Sequence, residues 1–152
     1  MKTEIKKLEP ARFASFYGYG NQPEETAMTK MFKWCGRKHI DLNDGKHKVF
    51  GFNNPNPVEG LTDYGYEFWV SADKADKPEE DIRIIEFMGG TYATTICSGV
   101  ENIFKTWQEL IAWCKENNMK FGYHQPLEKI VQNITDVQNI VVELYLPVIV
   151  DD

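Results

Sequence analysis

The feature that most constrains this chain is that it reads nearly the same way twice. Phe13-Ala14, Gly20 and Trp34-Cys35 recur as Tyr92-Ala93, Gly99 and Trp113-Cys114, all at one ungapped offset of 79 positions. Four identities and one aromatic exchange at a single offset are hard to obtain by chance and mark an internal duplication. Each copy has the order strand–helix–strand–strand. The first, about residues 1–75, reads as an extended segment over 3–19 interrupted at Pro10, a helix over 23–38, and strands over 47–52 and 64–72. The second, about 80–152, reads as strands over 82–87 and 91–97 around Gly89-Gly90, then a helix over 100–117. Strands over 120–131 (broken near Pro126) and 140–150 close it, joined by a polar hairpin loop over 133–138.

The helices carry their own signals. In the first, Ala27, Met28, Met31, Phe32 and Cys35 recur at three- and four-residue steps, behind Pro23 in the opening turn and Glu24 and Glu25 placed to favour the helix dipole. In the second, Ile103, Phe104, Trp107, Leu110, Ile111 and Cys114 make the equivalent stripe. A strand pair and a helix each have one apolar face to bury, so each copy covers its strands with its helix. The expected fold is α+β, a single domain over residues 1–152. In it, two units form a pseudo-two-fold, mainly antiparallel sheet with both helices on one face. A ligand groove is expected where the halves meet, since such junctions are where pockets form.

Composition narrows the function. Apolar residues make up 42% and aromatics 13%, enough for a core with rings to spare. The formal charge of −6 repels a phosphate backbone and argues against direct nucleic-acid binding. Cys35, Cys97 and Cys114 are odd in number and lack C-x-x-C spacing, and His39, His47 and His124 are scattered, so no metal is expected. Walker A, G-x-G-x-x-G and G-x-S-x-G patterns do not occur, which points to no cofactor and to a binding domain rather than an enzyme. The opening MKTEIKKLEP has no apolar stretch and no run is long enough to span a bilayer, so a cytoplasmic location without membrane contact is expected.

Several residues are candidates for the groove. Glu128 stands opposite Val49 in the ungapped repeat, a carboxylate where the mate is apolar, and such broken local rules often mark sites. A solvated strand glutamate paired with Lys129 is the alternative. Glu67 and Trp69 share one face of their strand by alternation, and a tryptophan beside a carboxylate suits a flat cation. Glu143 lies in the last strand of the other half. Tyr92 differs from its mate Phe13 by a hydroxyl that could bind a ligand or act as a general acid. Phe104, near a helix start, and Tyr19, near a strand end, are further wall candidates, each also readable as packing or surface.

In order along the chain stand Glu9-Pro10-Ala11-Arg12-Phe13-Ala14, Val49-Phe50-Gly51-Phe52, Met88-Gly89-Gly90-Thr91-Tyr92-Ala93, Trp107-Gln108-Glu109-Leu110, Pro126-Leu127-Glu128 and Val142-Glu143-Leu144-Tyr145-Leu146-Pro147-Val148. Together these resemble the GyrI-like family, the effector-binding domain of bacterial transcription activators, across nearly the whole chain. The resemblance implies a drug- or metabolite-sensing fold. Its relatives are fused to helix-turn-helix domains or free-standing, among them an inhibitor of DNA gyrase. It implies a buried acid at Glu128 that attracts lipophilic cations. In a subgroup it implies hydrolysis of small electrophilic esters or strained rings by a glutamate and a tyrosine, matched by Glu128 and Tyr92. The first residues already belong to the repeat, so a stand-alone form is expected. Its partners would be a small apolar or cationic ligand and, as protein, a separate DNA-binding protein or DNA gyrase.

Overall fold

The computed structural model describes residues 1–150. In chain order the elements are β1 (Glu4–Leu8), β2 (Ala11–Gly20), α1 (Pro23–Arg37), β3 (Val49–Asn53), β4 (Tyr64–Ser71), β5 (Ile82–Phe87) and β6 (Gly90–Ser98). A 3-10 turn (Val100–Asn102), α2 (Ile103–Glu116), β7 (Lys120–Phe121), β8 (Leu127–Gln132) and β9 (Val141–Ile149) follow. The fold is mixed α+β, as expected. The strand expected over 120–131 is two strands, because Gly122 and Pro126 flank a segment without ladder pairing.

Two compact units make up the chain, and their boundaries differ from those of the sequence repeat. One unit is Ala11–Phe87; the other joins Met1–Pro10 to the chain from Met88 onward. The segment expected as one extended piece over 3–19 therefore divides at Pro10. Proline cannot donate a ladder hydrogen bond, and β1 and β2 pair with different partners. Each unit takes its edge strand from the other copy of the repeat: β1 pairs with β6, and β5 with β2.

In the unit Ala11–Phe87 the strand order is β5-β2-β4-β3, with antiparallel pairing throughout. Helix α1 starts at Pro23 with Glu24 and Glu25 in its first turn, and buries Ala27, Met31, Trp34 and Cys35. These lie at one-face spacing and cover the side of the sheet carrying Ala14, Phe16, Phe68 and Val70, with the Trp34 and Phe16 rings 5.5 Å apart. In the other unit the order is β1-β6-β9-β8, again antiparallel, and β7 adds to β9. Helix α2 buries Leu110 and Cys114 against Ala93, Cys97, Val142, Leu144, Leu146 and Val148, with Trp107 and Ile111 half-buried alongside.

The duplication is visible in how the helices pack and how they stop. Met31 and Leu110, 79 positions apart, are both fully buried, as are Ala14 and Ala93. Trp34 is buried, whereas its mate Trp113 is only partly covered. Both helices end in the same motif. His39 and Asn118 take positive φ of 57° and 55°, and the next amides, of Ile40 and Met119, return to the carbonyls of Cys35 and Cys114 at 2.9 Å.

Candidate functional site

Strand alternation sorts the candidates by face. In the unit Ala11–Phe87, the face away from α1 carries Phe13 and Ser15 on β2, Phe50 and Phe52 on β3, Glu67 and Trp69 on β4 and Arg83 on β5. Trp69 stacks on Phe13 (5.5 Å, 18°) and meets Phe52 edge-on at 5.0 Å. Glu67 is fully buried among these rings. A lone buried carboxylate is costly, and donors surround this one. Trp69 Nε1 donates at 3.2 Å, Arg83 Nη2 at 2.5 Å, Asn54 Nδ2 at 3.3 Å, and the Ser15 hydroxyl donates as well.

The other unit repeats this arrangement with different residues. The face away from α2 carries Glu4 and Lys6 on β1, Tyr92, Thr94 and Ile96 on β6, Glu143 and Tyr145 on β9, and Leu127 and Lys129 on β8. Glu143 is buried and receives Lys6 Nζ at 2.6 Å and the Tyr145 hydroxyl at 2.7 Å. Sheet register makes Glu143 the counterpart of Glu67, and Tyr145 that of Trp69. In both units a buried glutamate bonds an aromatic two residues on and a cation from the exchanged edge strand.

Burial alone would raise the Glu143 carboxyl. Hydrogen bonds from Lys6 and Tyr145, with the charges of Lys6 and Lys129, outweigh it and hold the group below the ordinary carboxylate range. The site therefore presents an ionised carboxylate at neutral pH. Burial and the neighbouring Glu143 raise the Tyr145 phenol well above its usual value, and burial does the same to Tyr92. Both hydroxyls stay protonated as donors. The Tyr92 and Tyr145 rings meet edge-on at 5.5 Å, and His124 packs edge-on against Tyr92 at 4.7 Å. His124 lies where a Cβ on Gly90 would come within 2.7 Å of its ring, so only glycine leaves it room.

The structure brings together Glu67 with Trp69, and Glu143 with Tyr92 through Tyr145. It does not bring together Glu128 and Tyr92. Glu128 pairs with Leu144, whose side chain lies in the core under α2, and Glu128 Oε2 accepts from Trp107 Nε1 at 3.1 Å on that helix. Tyr92 is on the opposite face, its hydroxyl donating to the Gln125 carbonyl at 3.1 Å. The expected mate of Glu128 also needs correction. Register places it at the position equivalent to Gly51, not Val49, because β3–β4 and β8–β9 are not spaced by the ungapped offset. Phe104 is 73% exposed on α2 and Tyr19 is 59% exposed at the end of β2, so neither joins a buried cluster.

Lys6, Ser15, Arg83 and Tyr145 are not among the candidates that the sequence offers. The signal was there as Glu67-Phe68-Trp69 and Glu143-Leu144-Tyr145, a shared Glu-x-aromatic pattern. These stand 76 positions apart, so the ungapped offset of 79 hid it. Among the described residues, no group of three or more His, Cys, Asp and Glu side chains is arranged to hold a metal ion. No helix among them is long and apolar enough to cross a membrane.

Residues 1–149 match the GyrI-like small molecule binding domain. The chain belongs to this family. No curated protein matches it by sequence. Solved structures share the GyrI-like fold at low identity. The C-terminal domain of EcmrR is 17% identical with a TM-score of 0.68, covering 97% of this chain and 96% of that one. In the EcmrR–DNA complex the TM-score is 0.72, and there the match covers 57% of the EcmrR chain. A hydrolase encoded by lin2189 from Listeria innocua is 12% identical (TM-score 0.67, 97% and 91% coverage). SAV2435, solved bound to tetraphenylphosphonium, is 13% identical (TM-score 0.58, 97% and 94% coverage).

Proposed function

We propose that this GyrI-like domain reversibly binds a small organic cation, and that Glu143 supplies the negative charge. The observation that carries the reading is a buried, ionised carboxylate that shares its face with two buried phenol rings and is reached by a half-buried lysine. Charge in a partly desolvated setting attracts a cation strongly. That one structural relative was solved with tetraphenylphosphonium supports the ligand class. Glu67 is the weaker candidate for this role, because four side-chain donors already hold it.

The test is a calorimetric titration with tetraphenylphosphonium, benzyltrimethylammonium and neutral triphenylphosphine oxide. The reading expects saturable binding of the cations and much weaker binding of the neutral compound. Equal affinity for all three would overturn it.

A second reading has one observation in its favour. Glu143 and Tyr145 form a carboxylate–phenol pair at 2.7 Å, the kind of arrangement in which a base stands beside a protonated donor. Hydrolysis of activated esters that is lost in both Glu143→Gln and Tyr145→Phe would support it. The net charge of −6 makes it unfavourable for this domain to hold a phosphate backbone itself, so a link to transcription would need a DNA-binding module other than this domain. Co-purification at physiological salt, with and without the bound cation, tests that link.

A further inference from the structure

Strand β1 ends the order β1-β6-β9-β8, so one of its long sides has no ladder partner among the described residues. A strand edge of this kind is a template for a further strand. We propose that the occupant is a second copy of this chain, with β1 pairing antiparallel to β1 about a two-fold axis at Ile5. The sheet then runs from one copy into the other as β8-β9-β6-β1-β1-β6-β9-β8.

Symmetry limits the registers. A two-fold axis perpendicular to the sheet keeps each side chain on its own face, and directly opposite side chains share a face. One residue must therefore stand opposite itself. Centred on Ile5, the pairing sets Glu4 of each copy opposite Lys6 of the other, twice over, on the face away from α2. Both are open to a neighbour, the Glu4 side chain being 50% exposed and that of Lys6 39%. Glu143 takes one Lys6 donor at 2.6 Å, whereas Glu4 of the same strand lies at 4.0 Å, beyond hydrogen-bond distance. An ammonium has further donors to give. The neighbouring registers bring like charges together. Centred on Glu4 the pairing sets Lys2 against Lys6, and centred on Lys6 it sets the two Lys6 ammonium groups against each other.

The opposite face agrees. Ile5 stands beside Ala93 on the α2 face and is 44% exposed, and the axis places the two Ile5 side chains against each other. Two residues earlier, the Thr3 hydroxyl is a buried polar atom with no hydrogen-bond partner among the described residues. The same register puts Thr3 opposite the exposed Lys7 of the second copy, a donor for an oxygen that one copy alone leaves unsatisfied. Strand β5, which ends the sheet of the unit Ala11–Phe87, makes the contrast. Its opposite charges, Arg83 and Glu86, are three residues apart and so on opposite faces, and no two-fold register can pair them.

The experiment is sedimentation equilibrium of the whole chain, with cysteine cross-linking to read the register. A pair of five-residue strands is a small interface, so a dissociation constant on the order of 10–100 µM is expected. Glu4→Lys turns two attractions into two repulsions and should weaken association about thirtyfold. Lys6→Glu alone should do the same. An equimolar mixture of these two variants restores opposite charges at both positions and should associate as wild type does. With Cu(II)-phenanthroline as oxidant, Ile5→Cys should form a disulfide-linked dimer, since opposite Cα atoms lie about 4.5–5.5 Å apart. Glu4→Cys should not, since its two copies would be about 8 Å apart. The native Cys35, Cys97 and Cys114 are buried and leave this comparison clear, which decides the matter if Lys6→Glu does not fold. A wild type that stays monomeric at millimolar concentration, association unchanged in Glu4→Lys, or Glu4→Cys cross-linking as readily as Ile5→Cys would overturn the proposal.

Discussion

A buried carboxylate is tolerated only when donors surround it, and the two in this chain solve the problem with different margins. Glu67 accepts from Ser15, whose hydroxyl is itself buried. Ser15→Ala removes that donor without changing the backbone, and should cost about 1–2 kcal/mol in urea unfolding. Glu143 behaves differently in acid. Its folded carboxyl lies below the ordinary range, so the folded state binds this proton more weakly than the unfolded chain. The associated stability is complete above the unfolded carboxylate range and is lost as pH falls through the lower folded value. Unfolding free energy measured from pH 7 down to pH 3 should therefore fall less steeply in Glu143→Gln than in wild type. An unchanged slope would show that Glu143 is not held as described.

At the level of elements, most of the fold was legible. The period of the apolar residues located both helices to within three residues, and Met31, Cys35, Leu110 and Cys114 are buried as that period requires. Alternation correctly put Glu67 and Trp69 on one face. Strand exchange could not be read, because a sequence repeat says which segments are alike and not which copies pair. Hence nothing in the sequence ties Lys6 to Glu143; the pairing of β1 with β6 does. The repeat mate of Glu128 was not legible for a related reason, since the register of β8 follows loops that differ in length between the copies. The shared helix terminus yields its own prediction. His39 holds a positive φ that a β-carbon disfavours, so His39→Gly should stabilise by about 0.5–1 kcal/mol. Asn118→Gly should gain less, because asparagine tolerates this conformation. Thermal denaturation of the two variants side by side measures the difference.

On the scale of the whole molecule, the N-terminal ten residues serve the unit formed by the end of the chain. They cover the β6 edge and deliver Lys6 to Glu143. Deleting them should leave β6 with an unpaired edge, seen as faster amide hydrogen exchange in β6 and a tendency to self-associate. Slow exchange in β6 after the deletion would contradict the pairing. We propose that the duplicated carboxylate of this GyrI-like domain serves structure in one unit and a ligand in the other. The most direct test is a calorimetric titration of tetraphenylphosphonium into wild type, Glu143→Gln and Glu128→Gln. Binding lost in Glu143→Gln and retained in Glu128→Gln is the predicted result. Retention in Glu143→Gln with loss in Glu128→Gln would place the ligand's charge on the helix side of the sheet and contradict the account.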